Sequence, residues 1–304
     1  LADDKDSLKL REAENAISGL LQQFSETPSS QAVATLIQQP LTNLRALLEA
    51  DAKTKITKEW TEVILPAAKE IEKGYPFEAG TAEADLTKLT AFLNPVDGKL
   101  TKFYDERLKR YFEESNGALK LKDTAEVKFS DEFIAYLNNA FALRKALFGT
   151  SATPKFEYEF AFKPGKDAII EVVIDGQKIT SEGTASIKGT FPAPASAETG
   201  VIMSIAGSAP ATTSAPPPVS TSTPSSSTKP ATTDTGGASL KFPGNWGLFR
   251  FVDAGKAAKQ AGGEYSLGYS VGGKAISATI KPSGGDLFDK NIFRQVKAPQ
   301  NFLK

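Results

Sequence analysis

Cysteine and histidine are both absent from the 304 residues. Their absence excludes thiol nucleophiles, serine–histidine triads, histidine general bases and nearly all zinc, copper and haem sites. Any enzyme here would have to work with carboxylates, Lys, Tyr or Ser, and no cofactor or metal set is expected. No disulfide can staple the chain, which suits a domain large enough to do without one. No apolar run approaches the roughly 18 residues that span a membrane. The sequence opens at Leu1 with no signal-peptide pattern, as expected of a piece of something longer whose anchor lies upstream. Charge is balanced, 36 basic against 36 acidic residues, so no global field draws nucleic acid or an anionic membrane.

What is present divides by period. From about Asp6 to Phe24, Leu10, Ala13, Ile17, Leu20, Leu21 and Phe24 recur at helical spacing. A second amphipathic helix is predicted over Ser30 to Ala52 with Val33, Leu36, Ile37, Leu41, Leu44, Leu47 and Leu48, kinked at Pro40. A third carries Ile56, Trp60, Val63, Ile64 and Ile71, contains Pro66 and ends at Gly74 before the turn Tyr75, Pro76, Phe77. Further helices are predicted over Ala82 to Phe92, over Leu100 to Glu114 with a stop at Asn116 and Gly117, and from an N-cap at Ser130 to Gly149. Leu119 to Phe129 alternates weakly, as in a small hairpin.

After Pro154 the period falls to two. Phe156, Tyr158, Phe160 and Phe162 alternate with polar residues, and Ile170, Val172 and Ile174 lead into the two-residue turn Asp175–Gly176 and a return strand over Lys178 to Ser181. More strands are predicted at Ala185 to Phe191, Val201 to Ile205, Tyr265 to Val271 and Ala275 to Lys281, the last two joined at Gly272 and Gly273. Between Ser208 and Ser239 lies a Ser/Thr/Pro tract too poor in apolar side chains to offset its own ordering entropy, expected as a mobile loop inserted between two strands. Beyond it Trp246, Phe249 and Val252 are spaced by three, with Gly244 and Asn245 as break and N-cap, predicting a helix that ends near Gly262 and covers the apolar face of a sheet. The fold class is α+β multidomain: an α-helical bundle over 1–150, then an antiparallel β-sandwich over 151–304 with one packed helix and an insertion at 208–239.

Candidate chemistry is thin. Gly268, Gly273 and Lys274 mimic a P-loop, but Ala275 replaces its Ser or Thr and the following alternation marks a hairpin. The acid pairs Glu157 with Glu159 and Glu113 with Glu114 fit solvated faces as well as catalysis. Tyr265 and Tyr269 share one strand face, where they could stack on a sugar or peptide or simply pack a core.

The order of certain marks resembles one family: Trp60 with Pro66; Gly74, Tyr75, Pro76 and Phe77; Phe92 and Pro95 with Gly98 and Leu100; Phe103; Phe129 and Ser130; Phe141 with Arg144 and Phe148; Asp175, Gly176 and Gln177; and Trp246 to Phe251 with Arg250. Together they are similar to the carboxy-terminal periplasmic region of the IcmF-like (TssM) inner-membrane proteins of type VI secretion. The resemblance implies a non-catalytic part of a trans-envelope complex, the periplasmic region of an inner-membrane-anchored protein. Its sandwich would dock a small outer-membrane lipoprotein of the TssJ type, while upstream regions would meet other inner-membrane subunits and the full assembly would be oligomeric. Partner contacts are expected at Tyr265, Tyr269, Lys274 and Phe293; structural roles are expected for Trp60, Tyr75, Pro76, Phe77, Asp175, Gly176, Trp246 and Arg250. Phe191–Pro192–Ala193 and Ala298–Pro299 depart from the family's usual Trp-Pro-Gly and Cys-Pro. A carbohydrate-binding or adhesin-like module is the rival reading, since the tract has the composition of a stalk.

Overall fold

The computed structural model describes residues 12, 15–19, 28–163, 169–182, 186–194, 198–206, 239–289 and 291–304. Most of the helix expected over Asp6 to Phe24, and the tract from 207 to 238, lie outside them, although residues 12 and 15–19 are helical.

The second and third expected helices are one rod. Helix α1 runs Pro28–Glu59 without a break, with Pro40 inside it. No Gly or Pro interrupts residues 41–65, and ion pairs one turn apart, Glu49–Lys53 and Asp51–Lys55 at 2.8 Å, bridge the expected break. A π-turn, Trp60–Ile64, then joins it to α2, Leu65–Ile71. Proline is the cause: Pro66 has no N–H to donate back to Glu62, and the ladder widens so that Leu65 N–H donates to Trp60 O. The π-turn sends the Trp60 ring into the middle of the helical half, where Phe103, Phe133, Tyr136 and Phe302 surround it at centroid distances of 4.9 to 6.0 Å.

Helix α3 is Leu86–Leu93 and begins later than expected because Asp85 Oδ1 accepts from Thr87 N and Lys88 N. The expected helix over Leu100 to Glu114 is also shorter. It comprises α4 (Lys99–Phe103), a second π-turn (Tyr104–Leu108) and a 3₁₀ turn (Lys109–Tyr111), after which β1 (Phe112–Ser115) pairs with β2 (Ala118–Leu121). Asn116 and Gly117 are thus a hairpin turn rather than a helix stop, both with positive φ (54° and 75°), the pair of values that a tight two-residue hairpin requires. Helix α5, Asp131–Phe148, has its expected cap, Ser130 Oγ accepting from Phe133 N, and ends at Gly149.

The strands form two antiparallel sheets. One has the order β6 (Ser186–Phe191), β3 (Phe156–Phe162), β11 (Lys274–Ser283), β10 (Tyr265–Val271), β9 (Ala258–Lys259). The other has β5 (Gln177–Thr180), β4 (Ile170–Ile174), β7 (Gly200–Ile205), β8 (Ser239–Pro243). Residues on either side of the tract are direct partners, Ser204 opposite Ser239, so the tract connects two neighbouring strands. Helix α6, Gly247–Ala254, stops eight residues early, at Gly255 and the positive-φ Lys256, and Trp246 rather than Asn245 is its N-cap, without a side-chain bond. It does not cover one sheet but plugs the space between the two: Phe251 meets Phe160 and Tyr269 of one sheet and Phe242 of the other.

Helical half and sandwich share a continuous apolar core. The chain end completes it. Phe302 packs on Trp60, Phe129 and Phe133, while Ser130 N donates to Phe302 O and Lys304 N to Lys128 O. The buried carboxylate Glu72 accepts from Ala298 N. Phe302→Ala should therefore cost about 3–5 kcal/mol although it lies two residues from the end, measurable by urea unfolding; a loss below about 1 kcal/mol would mean the tail is dispensable. By contrast Tyr136 Oη is buried with no hydrogen-bond partner among the described residues. Tyr136→Phe should be neutral or slightly stabilising, because the hydroxyl is desolvated without compensation, and a clear drop in the same assay would count against this. Removing 210–237 should leave the melting temperature nearly unchanged, since β7 and β8 keep their pairing.

Candidate docking surface and its support

The sandwich has two ends, set by strand direction. Antiparallel register places Phe156, the Asp175–Gly176 turn, Gly200, Pro243 and Ser283 at one end. This proximal end abuts the helical half, where Lys155 N donates to Leu147 O. The same register places Lys163, Ile169, Ser181, Ile205, Ser239 and the Gly272–Gly273 turn at the opposite, distal end.

The proximal end is fastened. Trp246, fully buried, donates from Nε1 to Ala84 O at 2.8 Å and packs on Phe191 and Phe293. Arg250 lies 4.2 Å over the Tyr75 ring and donates to Gly80 O and Thr81 O at 2.8 and 3.0 Å. Tyr75 donates its hydroxyl to Asp253 Oδ2 at 3.0 Å; burial and the Asp253 charge hold the phenol well above its ordinary pKa, so it stays a donor. Pro76 and Phe77 are buried beneath, Phe77 edge-on to Phe293. Loop 74–84 and α6 therefore form one clamp. At the start of α6, a Cβ on Gly247 would collide with Phe242 O and Gly200 Cα, so glycine permits the helix to enter between the sheets. Asp175 closes the neighbouring turn: its N–H donates to Gly200 O and its Oδ1 accepts from Gly200 N, and burial raises its carboxyl pKa more than that bond lowers it.

Three of the four expected partner contacts are internal. Tyr265 is buried and donates to Asp286 Oδ2, Tyr269 is buried, stacks on Phe251 and donates to its carbonyl, and Phe293 is buried against Trp246 and Phe249. All three belong to the inward set of their elements, so of the expected contacts these three pack the core instead. Lys274 alone is exposed, on the distal Gly272–Gly273 hairpin. That turn abuts Ile205, and Ile169, 41% exposed, sits beside it, its carbonyl accepting from Ala206 N. Sequence reading missed Ile169 and Ile205. Ile205 was read as the last residue of the strand Val201 to Ile205, and only the register shows that this end lies at a rim.

Among the described residues no cluster of three or more metal-ligating acids occurs, and no helix is long and apolar enough to cross a membrane.

Residues 51–152 match the family described as the type VI secretion protein IcmF helical domain. That domain followed by a β-sandwich is the class the fold defines. The particular likeness is to TssM. The T6SS protein TssM C-terminal domain from EAEC superposes with a TM-score of 0.63 at 16% identity, over 84% of this chain and all of that one. A chain of a type VI secretion system membrane core complex superposes at 0.71 and 15% identity over 97% of this chain, and one of a type VI membrane complex at 0.69 and 16% over 97%. The chain spans 57% and 54% of the length of those two. No curated protein matches it. The resemblance read from the residues thus stands: an IcmF-type helical region joined to the sandwich of the TssM carboxy-terminal fold.

Arg250→Ala should lower stability by about 1–2 kcal/mol, through loss of the ring contact and two hydrogen bonds to loop carbonyls, and Arg250→Lys should recover little of it because lysine lacks the planar fork. Urea titration distinguishes this from a surface arginine, whose removal would change stability by less than about 0.5 kcal/mol.

Proposed function

We propose that this chain is a non-catalytic, periplasmic segment of a TssM-type component of a type VI secretion membrane complex, anchored in the inner membrane through sequence upstream. We further propose that the distal end of its sandwich docks a small outer-membrane lipoprotein of the TssJ type. One observation carries the second reading: the clamp occupies the proximal end, which leaves the distal rim facing away from the helical half with Ile169, Ile205 and Lys274 at its surface. An apolar centre with a charged edge is the composition of a protein docking patch. The carbohydrate-binding reading lacks the stacking platform of Tyr265 and Tyr269, whose rings are buried.

Calorimetric titration of the full chain with the TssJ-type lipoprotein should give micromolar or tighter binding. Ile169→Glu should weaken it about tenfold or more by burying a charge in the contact. Lys274→Glu should act mainly on the association rate and its salt dependence. Val96→Glu, on the helical half and 71% exposed, is the control and should bind as wild type. Unchanged affinity in an Ile169→Glu/Lys274→Glu variant that melts normally would remove the distal end as the docking surface.

A further inference from the structure

The outer face of the five-stranded sheet carries a trough that neither the core nor the clamp uses. Strand register fixes a row of residues across it. Lys163 N donates to Ser277 O, Ser277 lies opposite Gly268, and Gly268 N donates to Gly255 O, one residue before Lys256. Lys163, Ser277, Gly268 and Lys256 are all exposed, and they line a space of about 310 Å³. The row thus has a lysine at each end and almost no side chain between them.

The fold does not ask for this arrangement. Gly268 stands in mid-strand, where glycine weakens a sheet, yet a Cβ there would meet nothing within 4 Å and its φ lies outside the left-handed region. Neither packing nor backbone requires glycine at that position. Lys256 adopts φ 49° just past the end of α6, the position where glycine or asparagine is usual because a Cβ opposes that conformation. Among the described residues neither lysine has a carboxylate partner, and no acid lines the trough. The outward acids of β3, Glu157 and Glu159, lie toward the proximal end and are engaged by Lys155 and Ser186.

We propose that the trough binds an extended acidic segment of a protein partner, one carboxylate of which sits above Gly268 between Lys163 and Lys256. Neighbouring strands stand about 4.8 Å apart, so about 15 Å separates the two lysine backbones. Flexible stems of about 6 Å let both ammonium groups close on one carboxylate from opposite walls. Shape selects an extended chain over a compact ion. The adjoining rows, Ala161 with Thr279 and Ser266 on one side and Ala275 with Ser270 on the other, are equally low, so the trough stays open along the strands. A sugar finds no stacking platform there, since the rings of β3 and β10 face inward. In an extended peptide every second side chain points the same way, so acids at alternate positions would face the floor together. The inference does not rest on the docking reading, and its test contains no lipoprotein.

The isotopically labelled full chain is titrated with a capped peptide of alternating serine and glutamate at about 50 mM salt, where exposed charges are weakly screened. The amide signals of Lys163, Lys256, Gly268 and Ser277 should shift saturably, with a Kd in the millimolar range expected of exposed ion pairs. Raising the salt to about 300 mM should weaken binding at least about threefold, and Lys163→Glu should weaken it about tenfold by setting like charges together. Two further variants separate binding from folding. Gly268→Val and Lys256→Gly should keep or raise the melting temperature, the first by supplying a strand former and the second by relieving the left-handed backbone, while both weaken binding. Lys188→Gln, exposed nearer the proximal end of the same sheet, should bind as wild type. The absence of a saturable shift up to about 10 mM peptide, equal binding of the glutamine version, or undiminished binding by Gly268→Val would each overturn the proposal. So would equal shifts of the same signals by inorganic phosphate or glucuronate, which would assign the trough to a small anion.

Discussion

Seating the Trp246 indole is the constraint on which the rest of the architecture turns. Its Nε1–H needs an acceptor once buried, and Ala84 O supplies it at 2.8 Å from the far half of the sequence. Satisfying that one donor brings loop 74–84 onto α6, which lets Arg250 reach Tyr75 and the Gly80 and Thr81 carbonyls. It also orients α6 so that Phe251 enters between the sheets and Phe249 faces Phe156, Phe191 and Phe288. The two halves are thus held by a few polar contacts set in an apolar joint, an arrangement in which direction comes from the hydrogen bonds and most of the energy from the rings.

How much of this was legible depended on whether the deciding force was local. Strand alternation from Phe156 to Phe162 and the Asp175–Gly176 and Gly272–Gly273 turns are local, and they appear where the period predicts them. The Ser130 cap is equally local. Errors arose where one signal had two meanings. Asn116–Gly117 ends helices and also turns hairpins, and only pairing of Phe112 with Leu121 decides between them. Helical periodicity in α1 showed an apolar face but could not show that no described residue buries it. Aromatics at strand spacing, Tyr265 and Tyr269, announced a face without its direction, and the plugging helix α6 makes that face internal. The distal rim was invisible for the same reason: a rim is a property of register between strands, and register is not written in any one of them.

The likeness to TssM at about 15% identity is then intelligible in physical terms. The marks that carry the resemblance sit at fitted contacts: Trp60 at its π-turn with Pro66, Tyr75 beneath Arg250, Trp246 on Ala84. Each is half of a fitted pair, so changing one member strands the other, while the solvated outer faces of both sheets can vary residue by residue.

The return of the chain end to the helical half has a mechanical meaning. A domain appended by a single linker peels away when pulled, one contact at a time. Here the sandwich leaves the helical half at Gly149 and comes back at Phe302, whose ring sits against the same Trp60 that anchors the long rod. The joint is therefore crossed twice, once by the covalent connection at 149–155 and once by the segment that brings Phe302 back, so parting the halves must break both sets of contacts. Local opening of one half alone would strand apolar surface of the other, which ties the two into one cooperative unit.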